Sequence, residues 1–164
     1  MSVTESGTAL TDRYVDELQT RFDPSQFQSP AAVTLTMKKR VGCRNADPIV
    51  ASENFRYFLN RINHILIGSR AKRYGARLQT VAVIESNADG RLHYHAIIDR
   101  PYHCSFERFR SVITDQWLRT SFGYRQVDIQ DAADAGWIDY MLKPRQKASL
   151  LDAIDWNNCH LIAE

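Results

Sequence analysis

The sequence is poor in cysteine, in long apolar runs and in net charge, and each shortage excludes a class of protein. Cys43, Cys104 and Cys159 are the only three cysteines in 164 residues. They form neither an even set nor a CxxC pair, which argues against a disulfide framework or a zinc knuckle and for free thiols in a reducing compartment. No apolar run approaches the roughly 20 residues that a membrane-spanning helix needs, and no basic-then-apolar leader opens the chain, so a cytoplasmic protein is expected. Internal repeats, low-complexity stretches and a phosphate-binding GxxxxGKS or GxxxxGKT string are all missing. With 44% hydrophobic and 24% charged residues, the chain is neither disordered nor fibrous. Its length suits one domain whose core needs no covalent staple.

The net charge is only +2, but its distribution is uneven. Residues 1–36 and 78–164 each carry −3, whereas residues 37–77 carry +8. Lys38, Lys39, Arg40, Arg70, Lys72 and Arg73 fall in that basic stretch. It is either a solvated surface or a track for a phosphate backbone, and charge alone favours the solvated surface.

Hydrophobic spacing then divides the chain. Leu10, Tyr14, Leu18 and Phe22 recur at four-residue steps and predict a helix over 8–22, followed by a linker bounded by Pro24 and Pro30. The β-branched run AVTLTM predicts a strand over 32–37, and 41–51 reads as a loop. Phe55, Phe58, Leu59, Ile62, Ile65 and Leu66 predict a helix from Ser52, as its first capping residue, to about residue 73. Two apolar strands, 78–85 and 91–99, flank SNADG, whose Asp-Gly is a hairpin signal. A helix over 105–120 with Phe106, Phe109, Val112, Ile113, Trp117 and Leu118 inward, a strand over 125–129 and a helix over 131–143 complete the order. Its middle is β-α-β-β-α-β, the split βαβ arrangement of an α+β, ferredoxin-like or RRM-like domain with a largely antiparallel sheet. Both hairpin strands are apolar on both faces, so two helices are expected on one face and the last helix or a substrate on the other.

One string carries chemistry. In RLHYHAIID, His93 and His95 are two apart on a strand and therefore point to one face. Glu85 lies eight residues before His93 across the hairpin, within cross-strand reach. Two imidazoles and a carboxylate converging with open positions suit a divalent cation such as Mn²⁺ or Mg²⁺, with nickel, cobalt or zinc as competitors. The alternative is a pair of half-buried histidines with ordinary hydrogen-bond partners. Farther on, GWIDYMLKPRQK puts Tyr140 and Lys143 three apart on one helical face. Tyr140 there is either a nucleophile near a metal or a core aromatic beside Trp137. His64, His103 and His160 lack ligand-spaced partners and read as structural, Asp152, Asp155 and Trp156 read as capping and packing residues, and Gln79 is a candidate to reach the active face.

As a set, a His-x-His on the third sheet strand, a Glu eight residues earlier and a Tyr-x-x-Lys on a helix after the last strand resemble the HUH endonuclease superfamily, in its single-tyrosine replication-initiator (Rep) branch. The resemblance spans about residues 31–147. It implies a metal-dependent, sequence-specific single-stranded DNA endonuclease and strand transferase that nicks a replication origin. Tyr140 would form a 5′-phosphotyrosyl link and release a 3′-OH, with Glu85, His93 and His95 as metal ligands and Lys143 as the charge-stabilising group. Conjugative relaxases place their tyrosine before the histidine pair, whereas Tyr140 follows His95 by 45 residues. Two-tyrosine initiators are also set aside, because position 144 is Pro. Single-tyrosine transposases share the motif order and remain an alternative, as does a non-catalytic RRM-like nucleic-acid-binding module. The expected partners are single-stranded or hairpin origin DNA and a separately encoded helicase. The expected layout is an N-terminal helix and linker over 1–30, a nuclease domain over 31–147 and a C-terminal tail over 148–164 packed on it.

Overall fold

A computed structural model describes residues 23–142 and 150–162, together with Asp16 and Thr20, which are helical. The rest of the helix expected over 8–22 lies outside the described residues, as does Lys143.

Among the described residues, six strands form, four of them in the main sheet. Strand β1 (Pro30–Met37) is followed by the two-residue strands β2 (Arg40–Val41) and β3 (Arg44–Asn45), then helices α1 (Pro48–Ile67) and α2 (Ser69–Tyr74). Next come β4 (Thr80–Ser86), β5 (Leu92–Asp99), α3 (Phe106–Leu118), β6 (Gly123–Gln130), α4 (Ala135–Leu142) and α5 (Leu150–Ala153). The sheet runs in the order β4-β5-β1-β6, and every neighbouring pair is antiparallel. This is the ferredoxin-like split arrangement expected from the element order.

Strand periodicity gives the sheet two apolar faces. Ala31, Val33, Leu35 and Met37 of β1 and Tyr94, Ala96 and Ile98 of β5 face α1 and α3. Phe55, Phe58, Ile62, Phe109, Ile113 and Trp117 are fully buried there. The Phe55 ring stacks on Tyr94 at 4.1 Å, and Phe58 meets Trp117 edge-on at 5.5 Å. Trp117 donates its indole N–H to the Thr36 carbonyl at 2.9 Å, so its one polar atom is satisfied inside the core. Truncating any of these aromatic rings to alanine would cost roughly 3–5 kcal/mol. On the other face, Ala32, Val81, Val83 and Ile97 are covered by Ile138 and Met141 of α4 and by Ala153 and Ile154. The last helix and the C-terminal segment, not a substrate, therefore close the second face. That segment also pairs with the edge of β4 through Thr80–His160 and Val83–Ile154 bridges.

Several local boundaries differ from those the sequence predicts. Asp47, not Ser52, caps α1, accepting from the Val50 amide at 2.8 Å with Pro48 in the first turn. Residues expected as loop thus hold the β2–β3 hairpin and the first turn of α1. The single helix expected to about residue 73 breaks at Gly68, whose φ of 57° and ψ of −130° suit only glycine. In α3, Leu118 turns outward and Gln116 inward, where its side chain accepts from Arg61 Nε at 2.6 Å. Helix α4 starts at Ala135 because Asp134 accepts from the Trp137 amide at 3.0 Å and so occupies the capping position.

Candidate metal centre

Strand register builds the site. Glu85 of β4 and Thr36 of β1 lie opposite His93, while Val83 and Thr34 lie opposite His95. All of these residues therefore share the face covered by α4. The hairpin joining β4 to β5 holds the alignment. The Gly90 amide donates to the Asn87 carbonyl at 2.8 Å, the Asn87 amide donates to the Arg91 carbonyl at 2.9 Å, and Gly90 takes a positive φ of 81°. A tight loop of this kind fixes register, and a one-residue slip would turn both imidazoles away from Glu85.

The three side chains converge. His93 Nε2 is 3.0 Å from His95 Nε2, Glu85 Oε2 is 2.8 Å from His95 Nε2, and Glu85 Oε2 is 3.3 Å from His93 Nε2. Neighbouring ligands held about 2.1 Å from a cation in an octahedral shell stand about 3.0 Å apart, so the donor triangle already has the right size. Two imidazoles and one carboxylate on a single face form the facial arrangement that leaves positions open to substrate and water. His95 Nδ1 lies 3.1 Å from Thr34 Oγ1. A proton on that nitrogen donates to the hydroxyl and leaves the Nε2 lone pair facing Glu85 and His93. His93 Nδ1 is buried without a protein partner, which is costly for a purely structural histidine. Glu85, His93 and His95 are the one candidate metal cluster found among the described residues.

Helix α4 brings Tyr140 to this cluster. Ile138 and Met141 anchor the helix on the sheet, which turns Trp137 and Tyr140, three residues apart, toward the histidines. Their rings stack at 5.3 Å, and each meets the His95 ring edge-on, at 5.8 Å for Trp137 and 5.1 Å for Tyr140. Tyr140 is 46% exposed, so it lines the mouth of the site and is not a core aromatic. Tyr94 provides the contrast. It is fully buried, and burial, reinforced by the neighbouring Asp155, pushes its phenol far above the ordinary range.

The six basic residues do not gather around the site. Lys38, Lys39 and Arg40 follow β1 at the sheet end that carries the histidines. There Lys39 Nζ donates to the Asp89 carbonyl at 2.7 Å and pairs with its carboxylate at 3.2 Å. Arg70, Lys72 and Arg73 lie on α2, at the opposite end of the sheet. Gln79 is also at that far end, donating to the Gln26 carbonyl and accepting from the Ile162 amide, so it does not reach the histidines. His103 sits against the Leu66 carbonyl at 3.3 Å, His160 pairs with Thr80 through its backbone, and His64 is exposed on α1. Asp155 accepts from Tyr94 Oη, Ser52 Oγ and Asn158 Nδ2, a structural role. Sequence reasoning missed two neighbours of the site. Thr34 was detectable in principle from strand parity once the strand order is known. Trp137 was visible as a helical neighbour of Tyr140, but its contact with His95 was not.

A family model for the replication-associated protein ORF2 group matches residues 30–149, a span that includes the donor triangle and Tyr140. The chain belongs to this family of rolling-circle replication initiators. Neither the curated proteins nor the solved structures yielded a significant match.

Proposed function

We propose that the protein is a single-tyrosine DNA nicking-joining enzyme of the HUH type that opens a replication origin for rolling-circle synthesis. The observation that carries this reading is the Tyr140 ring set 5.1 Å from His95, one member of a three-donor cluster sized for a divalent cation. A divalent ion such as Mn²⁺ or Mg²⁺ at Glu85, His93 and His95 supplies Lewis-acid polarisation of a phosphodiester oxygen. Tyr140 Oη forms a bond to phosphorus as the P–O3′ bond breaks. The phenolic proton is lost to a base or solvent, and the 3′ oxygen leaves as a hydroxyl. The stored phosphotyrosyl bond can later be attacked by a 3′-OH, which rejoins a strand without outside energy. Trp137 orients the phenol by stacking on it, and Lys143, one turn on, offsets the negative charge that develops. Lys38, Lys39 and Arg40 guide the strand's phosphates into the site.

The test is incubation with a pool of single-stranded oligonucleotides and Mn²⁺, followed by a denaturing gel and mass spectrometry. A metal-dependent covalent adduct on Tyr140 is the expected result. An adduct on Tyr102, Tyr124 or another residue would overturn the role of Tyr140. DNA binding with no adduct under any divalent metal would favour a non-catalytic module.

A further inference from the structure

We infer that a second nucleotide pocket lies at the far end of the sheet, where Arg70, Arg77 and Tyr102 hold a nucleotide of the substrate strand away from the reacting phosphate. The inference rests on the proposed single-stranded DNA substrate. A cavity of about 490 Å³ opens there, between the end of α1, the turn after β5 and the segment before β1. That volume suits a bound nucleotide.

The charges around the cavity are unevenly committed. Asp99 lies at its wall, but its carboxylate already accepts from the Gln28 amide at 3.1 Å and the Ser29 amide at 2.7 Å. Arg100 is likewise engaged, donating to the Cys104 carbonyl at 2.6 Å and to Asp131 at 3.2 Å. Among the described residues, the side chains of Arg70 and Arg77 have neither a hydrogen bond nor an ion pair with a carboxylate. Two uncommitted guanidinium groups facing one cavity are a phosphate clamp in waiting. Tyr102 stands at the rim with 83% of its surface exposed. An aromatic face in water beside free arginines fits a base-stacking platform, because every nucleobase offers a face to stack. Lys72 and Arg73 on α2 extend the positive field, which gives that half of the basic stretch a purpose separate from the metal centre.

The spacing fits one continuous strand. Asp99 is six residues beyond His93 on β5, about 20 Å at roughly 3.3 Å per residue. Stacked nucleotides at about 3.4 Å each would cover that with about six nucleotides.

The experiment measures fluorescence anisotropy of a labelled oligothymidylate of about 20 nucleotides, which exceeds one ordinary strand-binding site, against the full chain. Tyr102→Ala is expected to weaken binding roughly 5- to 100-fold, and Tyr102→Phe to retain it, since stacking needs only the ring. Arg70→Ala with Arg77→Ala should weaken binding and flatten its salt dependence. Affinity unchanged in Tyr102→Ala and in the double arginine variant would overturn the pocket. Free dTMP serves as the second probe. If dTMP binding is lost in the variants while oligothymidylate binding is not, the pocket takes free nucleotides and the strand assignment fails. Mn²⁺ titration and the Tyr140 adduct, followed in the same variants, keep the two readings apart. A missing adduct beside Tyr102-dependent oligothymidylate binding would overturn the nicking chemistry and leave the pocket standing.

Discussion

Thr34 Oγ1 lies 3.1 Å from Nδ1 of His95, one strand away on the same sheet face. Its hydroxyl fixes which nitrogen of His95 carries the proton, and so leaves Nε2 to face the cluster. Removing a partner of this kind from a ligating imidazole typically costs 10- to 100-fold in metal affinity. Thr34→Val keeps the shape of the side chain and loses the hydroxyl. Calorimetric titration with Mn²⁺ should show affinity lower by that factor, while His93→Ala with His95→Ala abolishes the isotherm. Wild-type affinity in the double histidine variant would remove the metal site.

Tyr140→Phe removes one oxygen from a half-exposed side chain, so the variant should fold, bind metal and bind DNA. It should form no covalent adduct and release no 3′-OH product. Lys143→Ala should slow adduct formation by roughly 10- to 1000-fold without eliminating it, because it takes away charge stabilisation and leaves the nucleophile. Single-turnover gel assays separate the two effects.

At the site end of the sheet, Lys39 is paired with Asp89 across an exposed contact. Such pairs are worth at most about 1 kcal/mol, so a DNA phosphate can replace the carboxylate. Neutralising Lys38, Lys39 and Arg40 together should weaken binding to all sequences alike. It should also reduce the slope of log affinity against log salt by about 0.7 for each single-strand phosphate that no longer meets a cation. An unchanged slope in the triple variant would mark these residues as solvated surface.

Tyr94 donates its hydroxyl to Asp155 at 2.8 Å, and the same carboxylate accepts from Ser52 at 3.0 Å and Asn158 at 2.7 Å. Tyr94→Phe should lower stability by about 1.5–3 kcal/mol, the usual worth of a hydrogen bond to a charged group. Urea denaturation would show this as a lower midpoint at constant slope. The phenol is raised in the folded state, so the protein's advantage over the variant is fully present below the unfolded tyrosine's ordinary pKa of about 10. As pH rises past that value the unfolded chain ionises and the fold cannot follow, so the advantage shrinks.

The sheet and the donor triangle were legible because both depend on short-range rules. A period of two puts His93 and His95 on one face, and an Asp-Gly turn brings Glu85 opposite His93. Boundaries were less legible, since neighbouring capping residues compete. Asp47 followed by Pro48 outweighed Ser52, and Asp134 outweighed Asp131. Leu118 is apolar yet exposed, and Gln116 polar yet buried, because the carboxamide has Arg61 as its partner. The basic stretch was legible as charge but not as shape. Its residues are close in sequence, yet the 20 residues of α1 carry the chain about 30 Å along the sheet between Arg40 and Arg70. The contact between Trp137 and His95 joins segments with no shared local pattern, so only tertiary structure reveals it.

Glu85, His93 and His95 lie within eleven consecutive residues of one hairpin, whereas Tyr140 arrives 45 residues after His95. Closing the hairpin costs little loop entropy, so the cation-binding half of the site can assemble early and locally. The nucleophile's helix has eight residues, too few to persist alone in water, and it exists because Ile138 and Met141 dock on the sheet. Partial denaturation should therefore undock α4 first, giving a protein that still captures its ion but has lost the arm that holds the cut strand. The two halves of the site have separate melting thresholds, and the lower one sets the temperature at which cleavage ends.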